Sequence, residues 1–157
     1  MKNFLRFLQV FALGAWVGSI LYFAVVVTQG AFRVLPSIDD AGRLVGFTLG
    51  GLHWLGVIAA VVYLAATVAL GRSPKALAQV GAVGVFVMLL LTIASQRVVI
   101  PRMDVLRAQM GSVEKTPAGN PLRAEFDRLH GVSVDLEGAV LLIGIASLFL
   151  TVRVKPS

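Results

Sequence analysis

The segment FDRLHGVSVDLEG carries a histidine and two carboxylates on a helix that continues into an apolar stretch. At about 3.6 residues per turn, His130, Ser133 and Glu137 lie along one line of that helix, whereas Asp135 lies roughly 160° away from Glu137. An unpaired carboxylate near the centre of a bilayer costs about 2.5–3.5 kcal/mol or more. We therefore expect Glu137 to be protonated or bound to a partner on another helix.

His53 is the obvious partner of Glu137, and two further spans carry a polar or soft side chain at a similar depth. We count depth along each span from its charged residue nearest to the 97–128 loop, at about 1.5 Å per residue. The side chains then lie about 14–16 Å below that residue. The four side chains at this level form one candidate site: Tyr22, His53, Met88 and Glu137. Three polar residues on the loop side would line the route to it: Gln96, His130 and Ser133.

Such a cluster suits the binding of a proton, a metal ion or a small ligand. His53 is the candidate metal ligand, and His53 with Met88 could supply the two axial ligands of a haem. His130 lies about 12 Å from His53 along the membrane normal, so these two histidines are too far apart to ligate one metal ion. The alternative is a hydrogen-bonded pair of His53 and Glu137 with a purely structural role.

Composition indicates an integral membrane protein that positions these residues on helices. The 157 residues are 57% hydrophobic and 14% charged, and the mean hydropathy is +0.87. Apolar stretches of this length cross about 30 Å of hydrocarbon as helices. The predicted fold is all-α, a single four-helix membrane domain over residues 1–157. Its spans cover about 7–30, 44–70, 77–99 and 131–152.

Local signals predict how these spans begin and end. Ser37 with Asp40 forms a helix cap that starts span two near Ile38, and Asn120 with Pro121 starts the helix leading into span four. In the latter helix, three apolar residues share a face: Leu122, Phe126 and Leu129. Three residues typical of a helix end and a new start predict a tight turn between spans two and three: Gly71, Ser73 and Pro74.

Pro101 should bend or end span three, because proline removes a backbone donor and crowds the preceding turn. A short amphipathic helix within residues 102–114 should follow and lie on the membrane surface. Its apolar face would contain Val105, Leu106 and Met110.

Small residues three or four apart predict close packing between the helices. They form stripes on the first three spans: Gly14 and Gly18, Gly46 and Gly50, and Gly81 and Gly84.

The net charge of +6 does not indicate nucleic-acid binding, because the basic residues flank the spans and no basic patch with interleaved aromatics occurs. The lipid bilayer is the expected partner, with other membrane subunits or a second copy at Asp135. One side of the bundle carries both termini and the 71–77 turn, with six basic and no acidic residues: Lys2, Arg6, Arg72, Lys75, Arg153 and Lys155. The termini should therefore be cytoplasmic, in a bacterial-type inner membrane.

Three segments carry a resemblance to a known family: WVGSILYF in span one, IPRM after span three, and LHGVS at the start of span four. They resemble the transmembrane protein 205-like family, also called domain of unknown function 4149, whose members are four-span membrane proteins. The resemblance covers the whole chain in span order and implies the four-span fold, but no reaction. The chain departs from the family at Glu137, where Asn is common, and at Asp135, where an apolar residue is usual. The family is in turn similar to a broader set of small four-span proteins that includes copper-resistance proteins and haem-biosynthetic oxidases.

Three functions are compatible with these features. The leading hypothesis is a non-enzymatic protein that binds a small ligand, a metal ion or a proton at the central cluster. The second is an accessory subunit of a larger membrane complex, with Asp135 facing a partner. The third is a haem- or quinone-linked oxidoreductase, although no catalytic residue is predicted, since the chain has no Cys, Gly-rich nucleotide loop, HExxH motif or nucleophile elbow.

Overall fold

The computed structural model describes residues 1–153, and within that range the chain folds into four long helices. At about 1.5 Å per residue each helix is longer than the roughly 30 Å hydrocarbon core, so each extends beyond it. Lys155, which was counted among the basic residues near the termini, lies outside the described residues. The helices are α1 (Lys2–Val34), α2 (Ile38–Gly71), α3 (Val80–Met110) and α4 (Pro121–Arg153). The chain is thus a multi-pass membrane protein, as predicted.

The four helices form a closed bundle. Each helix packs on the next one in the chain, and α1 also packs on α4, so α2 and α4 face each other diagonally. The core of the bundle is apolar and contains fully buried side chains from three helices: Leu13, Trp16, Val85, Met88 and Val140. A group on α2 that reaches α4 must therefore cross the centre of the bundle.

The third helix differs from the prediction at Pro101. The proline neither ends the helix nor starts a separate interfacial one, because α3 runs without interruption to Met110. Directly before the proline, Ser95–Val99 forms a wider π-turn, in which the Ile100 N–H donates to the Ser95 carbonyl. A π-turn shifts the hydrogen-bond register by one residue, and this shift lets the helix continue past a residue that has no N–H. The expected amphipathic helix is thus the last part of α3.

That last part of α3 packs on the first turns of α4 in a second apolar cluster near the 97–128 loop. Met103 and Leu106 are buried there against Phe126 and Leu129, with Leu122 partly buried beside them. The shared apolar face predicted for the start of α4 is therefore formed, while Val105 is exposed.

Two predicted helix starts are present in the structure. Ser37 Oγ accepts a hydrogen bond of 3.0 Å from the Asp40 N–H, and its hydroxyl donates to Asp40 Oδ2 at 2.6 Å. Asn120 Oδ1 accepts from the Leu122 N–H at 2.9 Å. Both caps join residues two or three positions apart, so the local sequence was sufficient to predict them.

The connection between α2 and α3 is longer than the predicted tight turn. Gly71 is the last residue of α2, and the left-handed residue is Arg72, at φ 50°. A short 3₁₀ helix, Pro74–Ala78, follows and delays the start of α3 to Val80. A Cβ on Gly71 would overlap Ala76, so the glycine permits the close approach of this 3₁₀ helix.

Of the glycine stripes of α1 and α2, only Gly46 has a neighbour on another helix, with its Cβ position 3.8 Å from the Arg107 side chain of α3. A Cβ would meet nothing within 4 Å at three of these positions: Gly14, Gly18 and Gly50. The stripe of α3 does make a close contact, since a Cβ on Gly84 would overlap the Ser147 hydroxyl of α4. The close contact between α1 and α2 is instead at Gly56, where a Cβ would lie 2.5 Å from the Trp16 ring.

The loop after α3 is attached to the start of α2. Asp39 accepts hydrogen bonds from the Ser112 hydroxyl at 2.5 Å and from the Val113 N–H at 2.8 Å. In return, the Ile38 N–H donates to Glu114 Oε2 at 3.0 Å. Acidic side chains here accept the free N–H groups of a helix start and of a loop, so the α3–α4 connection is held close to the bundle.

Candidate functional site

The centre of the bundle contains a row of three hydrogen-bonded side chains. His53 Nε2 lies 2.6 Å from Glu137 Oε1, and His53 Nδ1 lies 2.7 Å from Gln96 Oε1. These residues come from α2, α4 and α3, respectively, so the row joins three of the four helices. His53 is only 2% exposed, and the side chain of Glu137 is 16% exposed. The predicted pairing of His53 with Glu137 is formed.

The Gln96 amide oxygen assigns one proton of the row to His53. The Gln96 Oε1 atom can only accept, so His53 Nδ1 carries a hydrogen and donates it. One further proton lies between His53 Nε2 and Glu137 Oε1, and the pair is neutral overall whichever atom holds it. Gaining one proton makes the pair cationic, and losing one makes it anionic. The pair can therefore bind or release a proton with a change of a full charge inside the bundle.

Gln96 belongs to the row itself rather than to the route leading to it. The predicted depth of α3 was counted from Arg97, on the assumption that the span ends near Pro101. Since α3 continues to Met110, Arg97 is not at the end of the helix, and Gln96 lies at the level of His53 instead.

Counting from Arg97 also gave a wrong depth for Met88, which does not lie in the predicted cluster. Met88 is fully buried, but it lies about 12 Å before Gln96 along α3. Its neighbour on α4 is Gly144, where a Cβ would lie 2.9 Å from the Met88 Cε atom. Met88 thus packs in the apolar core, on the termini side of the row.

Tyr22 is at the surface of the bundle, with 62% of its area exposed. It directly precedes a second π-turn, Phe23–Val27, and borders a groove between α1 and α2 that Gln96 also lines. The helical periodicity that put Tyr22 on the inner face therefore did not place it in the row.

The two polar residues before Glu137 on α4 have different surroundings. Ser133 is buried, one turn from Glu137. His130 is exposed, and its ring is parallel to that of Phe126, with centroids 6.5 Å apart. Asp135 is exposed, in keeping with its predicted position away from Glu137.

Ser95 is a buried residue of this region that the sequence predictions did not assign to the site. Gly84 faces Ser147 and Met88 faces Gly144, and continuing this antiparallel register by seven residues places Ser95 level with Glu137. The Ser95 hydroxyl is fully buried and makes no hydrogen bond with any residue in the range 1–153. Such an orphaned hydroxyl costs about 1–3 kcal/mol, which distinguishes it from an ordinary packing residue.

A second set of polar contacts lies nearer the termini and was also not predicted. Gln9 Nε2 donates to Thr67 Oγ1 at 2.7 Å, and Tyr63 OH shares a hydrogen bond of 2.6 Å with Thr151 Oγ1. These residues are isolated within apolar runs, and only their positions on inward faces could have indicated them. They link α1 to α2 and α2 to α4, and they contain no strong acid or base.

The row does not fit a metal ion or a haem held by the predicted ligands. Both ring nitrogens of His53 are hydrogen-bonded, and Met88 lies about 12 Å from the level of His53 along α3. Over the range 1–153, no group of three or more His, Cys, Asp or Glu side chains is arranged to hold a metal ion. The geometry therefore suits a proton better than a metal.

Of the comparisons with known proteins, the one with family models finds a match. No curated protein and no solved structure matches the chain. Residues 11–112 match the family described as Domain of unknown function (DUF4149). The matched range contains Trp16, His53, Gln96 and Pro101 and ends before α4, which supplies Glu137. Since the match covers more than half of the chain, this four-span membrane protein belongs to the DUF4149 family.

Proposed function

We propose that this membrane protein is not an enzyme and that it binds and releases a proton inside its bundle, at the His53–Glu137 pair. The observation that carries the proposal is the 2.6 Å contact between His53 Nε2 and Glu137 Oε1. It joins an imidazole and a carboxyl group that can share a proton, on helices that face each other across the bundle. A change of one charge in this interior is energetically large and favours a change in helix packing.

The neutral state of the pair supports a role in proton exchange. Neutrality makes an ionisable pair tolerable in the apolar interior, whereas either charged state favours contact with water or a new partner. The buried Ser95 hydroxyl lies level with Glu137 and has no hydrogen-bond partner within residues 1–153. It could stabilise the carboxylate in one state and accept from the carboxylic acid in the other.

The side of the bundle that carries the 97–128 loop provides the route for this proton. Glu137, Ser133 and His130 lie on successive turns of α4, separated by about 6 Å and 4.5 Å along the helix axis. Ser133 is buried and His130 is exposed, so the series leads from the interior pair to the surface. A hydroxyl and an imidazole both accept and donate protons, as a relay requires.

Nuclear magnetic resonance of His53 tests the proposal directly. The chain has two histidines, so the variant His130→Gln retains His53 alone, and histidine labelled with ¹⁵N then reports only this site. We expect the ¹⁵N shifts of His53 to change between about pH 5 and pH 8 as the pair gains or loses a proton. Shifts that stay constant over this range would mean that the pair is structural.

Two further variants distinguish a proton shared by the pair from a general effect of nearby charge. In the His130→Gln background, Glu137→Gln removes the carboxyl group that shares the proton and should alter both the shifts of His53 and their dependence on pH. Asp135→Asn removes an exposed carboxylate two residues away and should alter neither. Equal effects of the two substitutions would indicate a general charge effect rather than a shared proton.

The exposed Asp135 favours a second candidate function, that of an accessory subunit or homo-oligomer. A carboxylate on the outer surface of a membrane span is expensive in lipid, and contact with a donor on another chain removes that cost. Extraction in mild detergent should then recover further chains, and Asp135→Leu should release them. A single chain that behaves alike with and without the substitution would exclude this function.

We infer that the protein lies in a bacterial-type inner membrane with both termini in the cytoplasm. Support comes from the basic residues described on that side, since short cytoplasmic segments are enriched in Lys and Arg: Lys2, Arg6, Arg72, Lys75 and Arg153. The chain has no Cys, so Ser73→Cys introduces a single thiol. A membrane-impermeant maleimide should label it in inside-out vesicles and not in intact cells; labelling in intact cells would reverse the orientation.

A further inference from the structure

A groove of about 1060 Å³ lies between α1 and α2 on the side of the 97–128 loop, and part of α3 borders it. Its lining is mostly apolar and includes the exposed aromatic side chains Tyr22 and Trp54. In a bilayer, an apolar groove that faces outward is in contact with lipid rather than water. The groove is distinct from the His53–Glu137 pair, although Gln96 borders both.

Glycines form part of the groove wall. Gly18 of α1 and Gly50 and Gly51 of α2 line it, and a Cβ on any of them would meet nothing within 4 Å. These glycines expose helix backbone whose polar groups are satisfied within the helix. An extended apolar chain can therefore lie directly against the two helices.

The length of the groove corresponds to one leaflet of a bilayer. Along α3 it extends from Gln96, at the level of the central row, to Arg107, a distance of about 16 Å at 1.5 Å per residue. Half of a hydrocarbon core of roughly 30 Å is about 15 Å. One end is thus near the bilayer centre, and the other is near the headgroups.

The charged residues of the groove are confined to its headgroup end. Arg43, Asp104 and Arg107 are the charged side chains in its lining. Each arginine also pairs with an acidic residue of its own helix, Arg43 with Asp40 and Arg107 with Asp104. The Arg107 guanidinium lies over the glycine surface of α2, 3.6 Å from the Cβ position of Gly42. Its hydrogen bond to Asp104 is long, at 3.4 Å, which leaves most of its N–H groups available to an anionic oxygen.

We propose that this groove binds one anionic phospholipid of the leaflet on the side of the 97–128 loop. One acyl chain lies along the glycine wall towards Gln96, and the phosphate accepts hydrogen bonds from Arg107 and Arg43. Guanidinium groups match phosphate oxygens in geometry and charge. A second copy of the chain is the alternative occupant, and the oligomeric state of the variants below distinguishes it from a lipid.

Native mass spectrometry of the full chain, released from nanodiscs of equal parts phosphatidylglycerol and phosphatidylcholine, tests this site. We expect one retained phospholipid per chain, with phosphatidylglycerol favoured about fivefold over phosphatidylcholine. Gly18→Leu fills the groove and should abolish retention. Gly138→Leu is the matched control, since Gly138 also has open space around its Cβ position but lies on α4, and it should retain the lipid.

The arginine end is tested separately from the groove wall. Arg107→Gln should remove the preference for phosphatidylglycerol, whereas Arg102→Gln, an exposed arginine of the same helix that does not line the groove, should keep it. Retention without headgroup preference in the unmodified chain, or equal retention in Gly18→Leu and its control, would overturn the proposal. A dimer lost in Gly18→Leu would assign the groove to a second copy instead. Glu137→Gln should leave retention unchanged, so this result is independent of the proton site.

Discussion

Replacing either His53 or Glu137 by leucine should destabilise the bundle. Replacing both should cost less unfolding free energy than the sum of the two single effects. His53→Leu leaves the Glu137 carboxyl and the Gln96 amide oxygen without their shared partner. Glu137→Leu leaves one ring nitrogen of the buried His53 unpaired. An orphaned buried polar group costs about 1–3 kcal/mol, and a broken buried charge pair about 3–5 kcal/mol. Each single variant should therefore lose about 2–4 kcal/mol of unfolding free energy.

The double variant places two apolar side chains where the pair was, a change that is often neutral for buried pairs. Only the Gln96 amide oxygen then lacks its partner, and this unsatisfied group costs about 1–3 kcal/mol of unfolding free energy. The double variant should thus cost about as much as one single variant. The corresponding coupling energy between His53 and Glu137 is at least about 2 kcal/mol.

Reversible unfolding of the purified protein in mixed micelles, followed by tryptophan fluorescence, measures these free energies. Asp135→Leu serves as a control on α4, because it removes an exposed carboxylate and should not destabilise the isolated chain. Costs of the two single substitutions that add to within about 0.5 kcal/mol in the double variant would refute a direct bond between the side chains.

Three further predictions concern the scaffold. Gly56→Ala should destabilise the bundle by about 2 kcal/mol in the same unfolding assay, because the new methyl group overlaps a buried indole, whereas Gly51→Ala should be neutral. Asp39→Ala should speed hydrogen exchange of the Val113 and Glu114 amides by at least about tenfold while leaving the membrane helices protected, since it removes the hydrogen bonds that both N–H groups donate to Asp39. Asn120→Ala should lower stability by about 1 kcal/mol through the lost helix cap, and an unchanged midpoint would show that the cap is redundant.

Much of the fold could be predicted because its determinants are local. Apolar runs of span length define α1 to α4, and the caps at Ser37 and Asn120 depend on residues two or three positions apart. The course of α3 could not be predicted in the same way. Proline is normally a helix breaker, and the π-turn that accommodates Pro101 has no simple pattern in the sequence.

The sequence predicted the pairing of an acid with a histidine at the candidate site, but it predicted only some of the other residues there. The high cost of a buried carboxylate was sufficient to pair Glu137 with His53. Gln96 and Met88 were placed at the wrong depths because one mistaken helix end shifts every level counted from it. Ser95 could not be recognised, because a single serine in an apolar helix is usually a packing residue, and its orphaned hydroxyl is visible only in three dimensions.

The π-turn at Ser95–Val99 behaves as a one-residue insertion in α3. Because the wide turn absorbs the extra residue, deleting one residue there would restore an uninterrupted α-helix in which the residues that follow keep their faces. Met103 and Leu106 would then remain in the apolar cluster that they form with α4. In an alignment of the DUF4149 family, a one-residue gap at this point should therefore leave the apolar positions that follow it unchanged, which gives the family a structural marker readable from sequence.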